Sequence, residues 1–198
     1  MARCVPQGAG RLIYIMGASG AGKDSVIDAT RRRLGHQCWI VFASRYITRL
    51  ADAGGEAHIA LTREEFAQAR DRGFFVLTWD SHGLSYGIGR EIDGLIRKGK
   101  HVVVNGSREY LPIAARRYPT MLPVLIEVAT DVLRARLTAR GRETAANIDA
   151  RLQRASAQAN VDHPALVRIR NDGPLAETVD EFLAVVGLAE PVGTAGVR

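Results

Sequence analysis

The stretch GASGAGKDS, Gly17 to Ser25, carries residue types and spacing suited to handling phosphate. It follows the phosphate-loop pattern G-x-x-x-x-G-K-[S/T] up to the last position, where Asp24 replaces the hydroxyl residue. Gly17, Gly20 and Gly22 let the backbone wrap closely around a phosphate group. The loop N–H groups and the N-terminus of the following helix then supply partial positive charge. Lys23 is placed to reach the outer phosphates and to offset charge as a phosphoryl group moves from donor to acceptor. The spacing thus predicts a nucleotide site made of Gly17, Ala18, Ser19, Gly20, Ala21, Gly22, Lys23, Asp24 and Ser25. The hydroxyl that such a loop usually carries at this position touches magnesium. Asp24 offers carboxylate oxygens to the metal, directly or through water, and Ser25 offers a hydroxyl one step on. Stabilisation of the helix N-terminus, worth about 0.3–1 kcal/mol, is the other reading of Asp24.

The elements that must hold this loop follow from the pattern of apolar residues. Arg11–Met16 is a short apolar run ending in glycine, as a buried parallel strand should be, and Lys23–Leu34 reads as a helix stopped by Gly35. Further strands are expected at 38–43, 58–61, 74–79, 101–106, 122–128 and 166–169. Further helices are expected at 62–72, 89–98, 107–118, 130–140, 145–160 and 175–186. Thr62 and Glu65 form a capping box for the first of these. Strands alternating with helices indicate an α/β fold with a parallel sheet covered on both faces.

The 198 residues suffice for one domain with a sizeable core, and 46% apolar with 24% charged residues describes a soluble globular chain. No apolar run approaches the roughly 20 residues needed to span a bilayer. The first residues, MARCVPQGAGR, lack an apolar segment of signal-peptide length, so a cytoplasmic protein with no membrane partner is expected. Cys4 and Cys38 form no metal or redox spacing and read as free thiols. The net charge is +6, and of the 27 basic residues only Lys23, Lys98 and Lys100 are lysines. Arginine forks suit phosphate oxygens in pairs. No basic stripe interleaved with aromatics is present, so nucleic acid is not an expected partner.

Three further stretches carry a family resemblance: SRYITR (Ser44–Arg49), GLSYGIGREID (Gly83–Asp93) and RARLTARGRETAANIDARLQRA (Arg134–Ala155). In this order after the loop, and with RND at Arg170–Asp172, they resemble guanylate kinases over about four-fifths of the chain. The resemblance implies a single P-loop kinase domain over 1–198, with core at 11–35 and 89–187. It also implies a small acceptor-binding lobe at 36–88, an arginine-bearing lid near 138–148, and a flexible tail at 188–198. Residue by residue, it implies that Ser44, Arg49 and Tyr86 hold the acceptor phosphate. Arg140 and Arg151 would clamp the transferring phosphoryl group beside Lys23. Asn171 and Asp172 would lie near the donor's base.

Three departures from that pattern narrow the acceptor. Leu77 stands where the first guanine-reading acid belongs, and Asn105 and Ser107 replace carboxylates at the end of VVVNGS. A second phosphate-binding arginine is missing, with Asp52 near its place. A guanine bound there would leave donors unpaired, at about 1–3 kcal/mol per group. This combination resembles the ribose 1,5-bisphosphate phosphokinases, the guanylate-kinase relatives of bacterial phosphonate breakdown, in which the Asp after the loop lysine is part of the pattern. The resemblance implies phosphorylation of a small phosphorylated sugar by ATP, giving 5-phosphoribosyl 1-diphosphate and ADP. It adds Arg45, Arg108 and Asn105 to the expected substrate contacts, and Asp52, Glu56 and His58 as candidates for the sugar hydroxyls. Glu91 and Asp93 read as helix-surface charges. A nucleoside monophosphate kinase is the rival enzyme, and a non-catalytic binding module of the same fold is the third reading.

Overall fold

Alternation on the first strand divides the protein into two apolar layers. In the computed structural model, which describes residues 10–35, 37, 39–50, 58–139, 141, 144–157 and 160–187, Leu12–Gly17 forms β1 at the centre of a parallel sheet. Ile13 and Ile15 point into one apolar cluster, Leu12, Tyr14 and Met16 into the other. This is the period-2 geometry of a strand buried on both faces. The sheet has five strands in the order β2-β7-β1-β8-β9: β2 is Ile40–Phe42, β7 His101–Asn105, β8 Leu122–Glu127 and β9 Val167–Arg170. Helices α1 (Lys23–Leu34) and α7 (Leu175–Val185) share the Ile13/Ile15 side, joined there by α5 (Thr130–Ala139) and α6 (Ala145–Ala157).

A second sheet of four strands, β4-β3-β6-β5, comprises β3 (Tyr46–Ile47), β4 (Ile59–Ala60), β5 (Phe75–Ser81) and β6 (Leu84–Gly89). Helix α2 (Arg63–Asp71) has the expected capping box: Thr62 Oγ1 accepts from Glu65 N at 3.1 Å and Glu65 Oε2 from Thr62 N at 2.8 Å. Leu77, Trp79 and Ile88 of this second sheet share one apolar cluster with Tyr14, which fastens the two sheets together.

The single parallel sheet expected from the sequence is therefore joined by a mixed one. The strand β6 falls where the sequence pattern suggests no strand. It is reached from β5 through a two-residue turn at His82 and Gly83, whose φ values of 53° and 74° are both left-handed, as a type I′ hairpin turn demands. The helix expected from Gly89 begins at Glu91, giving α3 (Glu91–Arg97), because β6 runs on to Gly89.

The helix expected from Ser107 begins only at Leu111, giving α4 (Leu111–Arg117). The Tyr14 hydroxyl accounts for this: it accepts from Ser107 N and donates to Ser107 O, both at 2.9 Å, so both backbone groups of Ser107 are taken by a side chain. Burial raises the Tyr14 phenol well above its usual range, so it stays neutral and able to donate. Gly106 allows the approach, since a Cβ there would stand 2.0 Å from Tyr14 Cζ. Gly106→Ala should accordingly cost about 1–3 kcal/mol by overpacking, read as a lowered midpoint in urea denaturation. A loss below about 0.5 kcal/mol would mean that the Tyr14 ring yields easily.

Candidate functional site

The loop after β1 is tied down from three sides. Lys23 Nζ donates to the carbonyls of Gly17 and Ala18, each at 3.1 Å. Asn171, 3% exposed, donates from Nδ2 to Ala21 O at 2.7 Å and accepts from Thr178 Oγ1 at 3.0 Å. Arg151 of α6 donates to Ser19 Oγ. Gly20 and Gly22 have φ of 94° and 91°, and a Cβ at Gly22 would lie 2.3 Å from Asn171 Nδ2. Glycine is thus required there both by conformation and by space.

A cleft of about 560 Å³ opens over this loop. Its walls bring together Gly17, Ser19, Gly20, Lys23 and Asp24 with Arg45, Arg49, Tyr86, Arg108 and Arg151. These come from the loop, from the β2–β4 region, from β6, from the β7–α4 turn and from α6, so residues far apart in sequence converge on one space. Arg45 stands over the Tyr86 ring, 5.3 Å from its centroid. Arg49 Nη2 and His58 Nδ1 are 3.3 Å apart, and His58 Nε2 lies 3.2 Å from the Arg49 carbonyl oxygen.

Other expected contacts fall elsewhere. Ser25 and Ser44 are exposed and do not line the cleft. Asn105 is 4% exposed and donates to Asp24 Oδ1 at 2.7 Å, so it faces the loop carboxylate and not the cleft. Asn171 is a strut beneath the loop, and Asp172 Oδ1 accepts from Ala129 N at 2.6 Å at the start of α5. Arg140, Asp52 and Glu56 lie outside the described residues. Leu77 is 1% exposed in the core, where it cannot read a ligand.

The structure adds Trp79, Asp80, Ser81, His82 and Arg154 to the cleft walls. The hairpin turn at His82–Gly83 brings the first four there. The signal that could have found them is the run TWDSHGLSYG, two strand-like halves around a turn pair. Arg154 lies three residues after Arg151, hence on the same face of α6.

Electrostatics follow from crowding. Burial pulls Lys23 down to about 8; Asp24 opposes this, and Arg45, Arg108 and Arg151 add to it. Burial also lowers Arg45 and Arg108 from their usual values. The site is a concentration of like charge, which an anion with several oxygens would relieve. Among the described residues no group of three or more His, Cys, Asp or Glu is placed to hold a metal. Asp24, oriented by Asn105 and lining the cleft, fits magnesium only in company with phosphate oxygens and water, which is how this ion commonly binds. No helix among the described residues is long and apolar enough to cross a membrane.

A phosphate loop between β1 and α1, a parallel sheet and an arginine-lined cleft define a P-loop phosphotransferase with a guanylate-kinase-like fold. The structure superposes on a guanylate kinase from Anaplasma phagocytophilum with a TM-score of 0.63 and 15% identity, covering 91% of this chain and 86% of that one. The chain belongs to the ribose 1,5-bisphosphate phosphokinase family. It is 58% identical over 167 residues to ribose 1,5-bisphosphate phosphokinase PhnN of Desulfomicrobium baculatum, covering 84% of this chain and 89% of that protein. It is 50% identical over 180 residues to the protein of the same name from Burkholderia pseudomallei, covering 90% and 97%. No family model matches the chain.

The lowered Lys23 value has a measurable consequence. In the ligand-free protein the unfolded chain binds more protons than the folded one between about 8 and the ordinary lysine value near 10.4. The penalty of burying this charge is therefore full below pH 8 and is relieved as pH rises through that window. A polyphosphate bound beside the amine would reverse the balance and restore the proton. Binding of inorganic tripolyphosphate at pH 8.5 should take up protons, measured by calorimetry in two buffers of different ionisation enthalpy. The uptake should be absent in Lys23→Met; equal uptake in both proteins would assign it to another group.

Proposed function

We propose that the protein transfers the γ-phosphoryl group of ATP to the 1-phosphate of ribose 1,5-bisphosphate, giving 5-phosphoribosyl 1-diphosphate and ADP. The observation that carries this reading is the high identity, over most of the chain, to proteins that bear that activity in their name. The cleft supports it: cations from several elements line it, while the position expected to read a guanine is filled by a buried leucine.

In this reading Lys23 and the N–H groups of residues 17–22 hold the outer phosphates of ATP. Arg45, Arg49 and Tyr86, which line the same cleft, hold the acceptor's phosphate. Arg151, at Ser19 of the loop and in the same cleft, would meet charge developing on the transferring oxygens; Arg140 is its proposed companion. The attacking atom is an oxygen of the acceptor's 1-phosphate, anionic at neutral pH, so no side chain need remove a proton. The new P–O bond forms as the bond from the γ-phosphorus to the β-phosphate oxygen breaks, and ADP departs with that electron pair. Catalysis then rests on alignment and on neutralising spread charge. Magnesium, held by Asp24 and the nucleotide's own oxygens, would supply part of that neutralisation. Asn105 serves here by fixing the Asp24 carboxylate.

Lys23→Ala should abolish most turnover while the ligand-free protein keeps a cooperative urea transition, so that the loss is one of chemistry and not of folding. Turnover within threefold of wild type would remove Lys23 from the mechanism. With ribose 1,5-bisphosphate and GMP competing in one assay, the bisphosphate should be preferred at least tenfold in kcat/KM, a discrimination of about 1.4 kcal/mol. Equal or better use of GMP would restore the nucleoside monophosphate kinase reading.

A further inference from the structure

The wall beyond Arg49 is built from stacked rings. Trp79 and Tyr86 are directly opposed in the β5–β6 register, so their side chains leave the sheet on one face. Their rings are parallel within 3°, with centroids 5.5 Å apart. Tyr110, from the turn before α4, lies 5.8 Å from Trp79 at 34°, and Arg45 stands over Tyr86. Trp79 lines the cleft, yet only 8% of it is exposed. For a side chain of 150–250 Å² this leaves roughly 20 Å² or less, enough for an edge of the indole and too little for a face. A base stacks face to face, whereas here Trp79 is already packed against Tyr86 and Tyr110, and Tyr86 against Trp79 and Arg45. The remaining groups beside it, Asp80, Ser81 and His82, are polar and suit hydroxyls.

We infer that Trp79 is a specificity-determining residue: locked in its stack, it closes the acceptor wall to a planar heterocycle and confines the acceptor to a base-free phosphorylated sugar. This deepens the proposed function and rests on its placing of the acceptor phosphate at Arg45, Arg49 and Tyr86.

The test compares wild type with Trp79→Ala and Trp79→Phe, measuring GMP affinity by calorimetry and ribose 1,5-bisphosphate turnover with ATP. Trp79→Ala, which uncovers Tyr86, should bind GMP at least tenfold more tightly than wild type. Trp79→Phe keeps a ring and should keep the wild-type preference. Unchanged GMP affinity in a folded Trp79→Ala protein would overturn the inference. A readout that leaves the stack intact uses Trp39→Phe, in which Trp79 is the sole tryptophan. Its emission should not respond to millimolar GMP, and quenching by GMP but not by ribose 5-phosphate would make Trp79 a base platform instead, overturning the inference. Absence of bisphosphate turnover in wild type would sink the proposed function, a result read separately from the GMP affinities.

Discussion

The architecture is organised around one electrostatic problem: gathering several cations around a single half-buried loop before any anion is there. Burial and the neighbouring arginines work together against the charge on Lys23, and burial works against Arg45 and Arg108. Such a cluster is held only if the backbone beneath it cannot relax. The carbonyls of Gly17 and Ala18 hold the lysine amine, Asp24 offsets part of its charge, and the buried amide of Asn105 fixes Asp24. In the proposed function a polyphosphate would relieve this like charge, which is the sense in which a phosphotransferase site is preorganised.

That rigidity is inherited from the apolar layers. β1 is buried along nearly all its length, and it delivers the loop at the carboxyl edge of the sheet, where ligands of open α/β sheets bind. From the same strand Tyr14 reaches across to Ser107 and sets where α4 begins, so the β7–α4 turn that bears Arg108 is positioned by a core side chain. Asn171 and Thr178 do the corresponding work on the opposite side, propping Ala21 from the β9–α7 corner. The second sheet is not a loose appendage, because Leu77, Trp79 and Ile88 share a cluster with Tyr14 and Met16. The walls of the cleft are thereby referred to one core.

The phosphate loop, its flanking strand and helix, the run of β-α units and the family were all legible in the sequence by itself. They depend on local rules: glycines where φ must be positive, apolar residues at period 2 or 3.6, a capping box at Thr62, and short motifs whose order along the chain is distinctive. Lys23, Arg45, Arg49, Tyr86, Arg108 and Arg151 could be named as a group from those motifs alone, and the fold brings all six to one cleft. What only the tertiary structure decided was which way polar side chains face when two partners compete for them. Asn105 and Asn171 carry groups equally able to bind a ligand or to brace a loop; the structure shows each buried and bracing, Asn105 donating to Asp24 and Asn171 to Ala21. The same holds for the second sheet and its aromatic wall. The hairpin at His82–Gly83, with its cross-strand pair Trp79 and Tyr86, has a local signal in TWDSHGLSYG, but the packing of that pair against Tyr14 and Tyr110 joins segments far apart in the chain, which no local pattern contains.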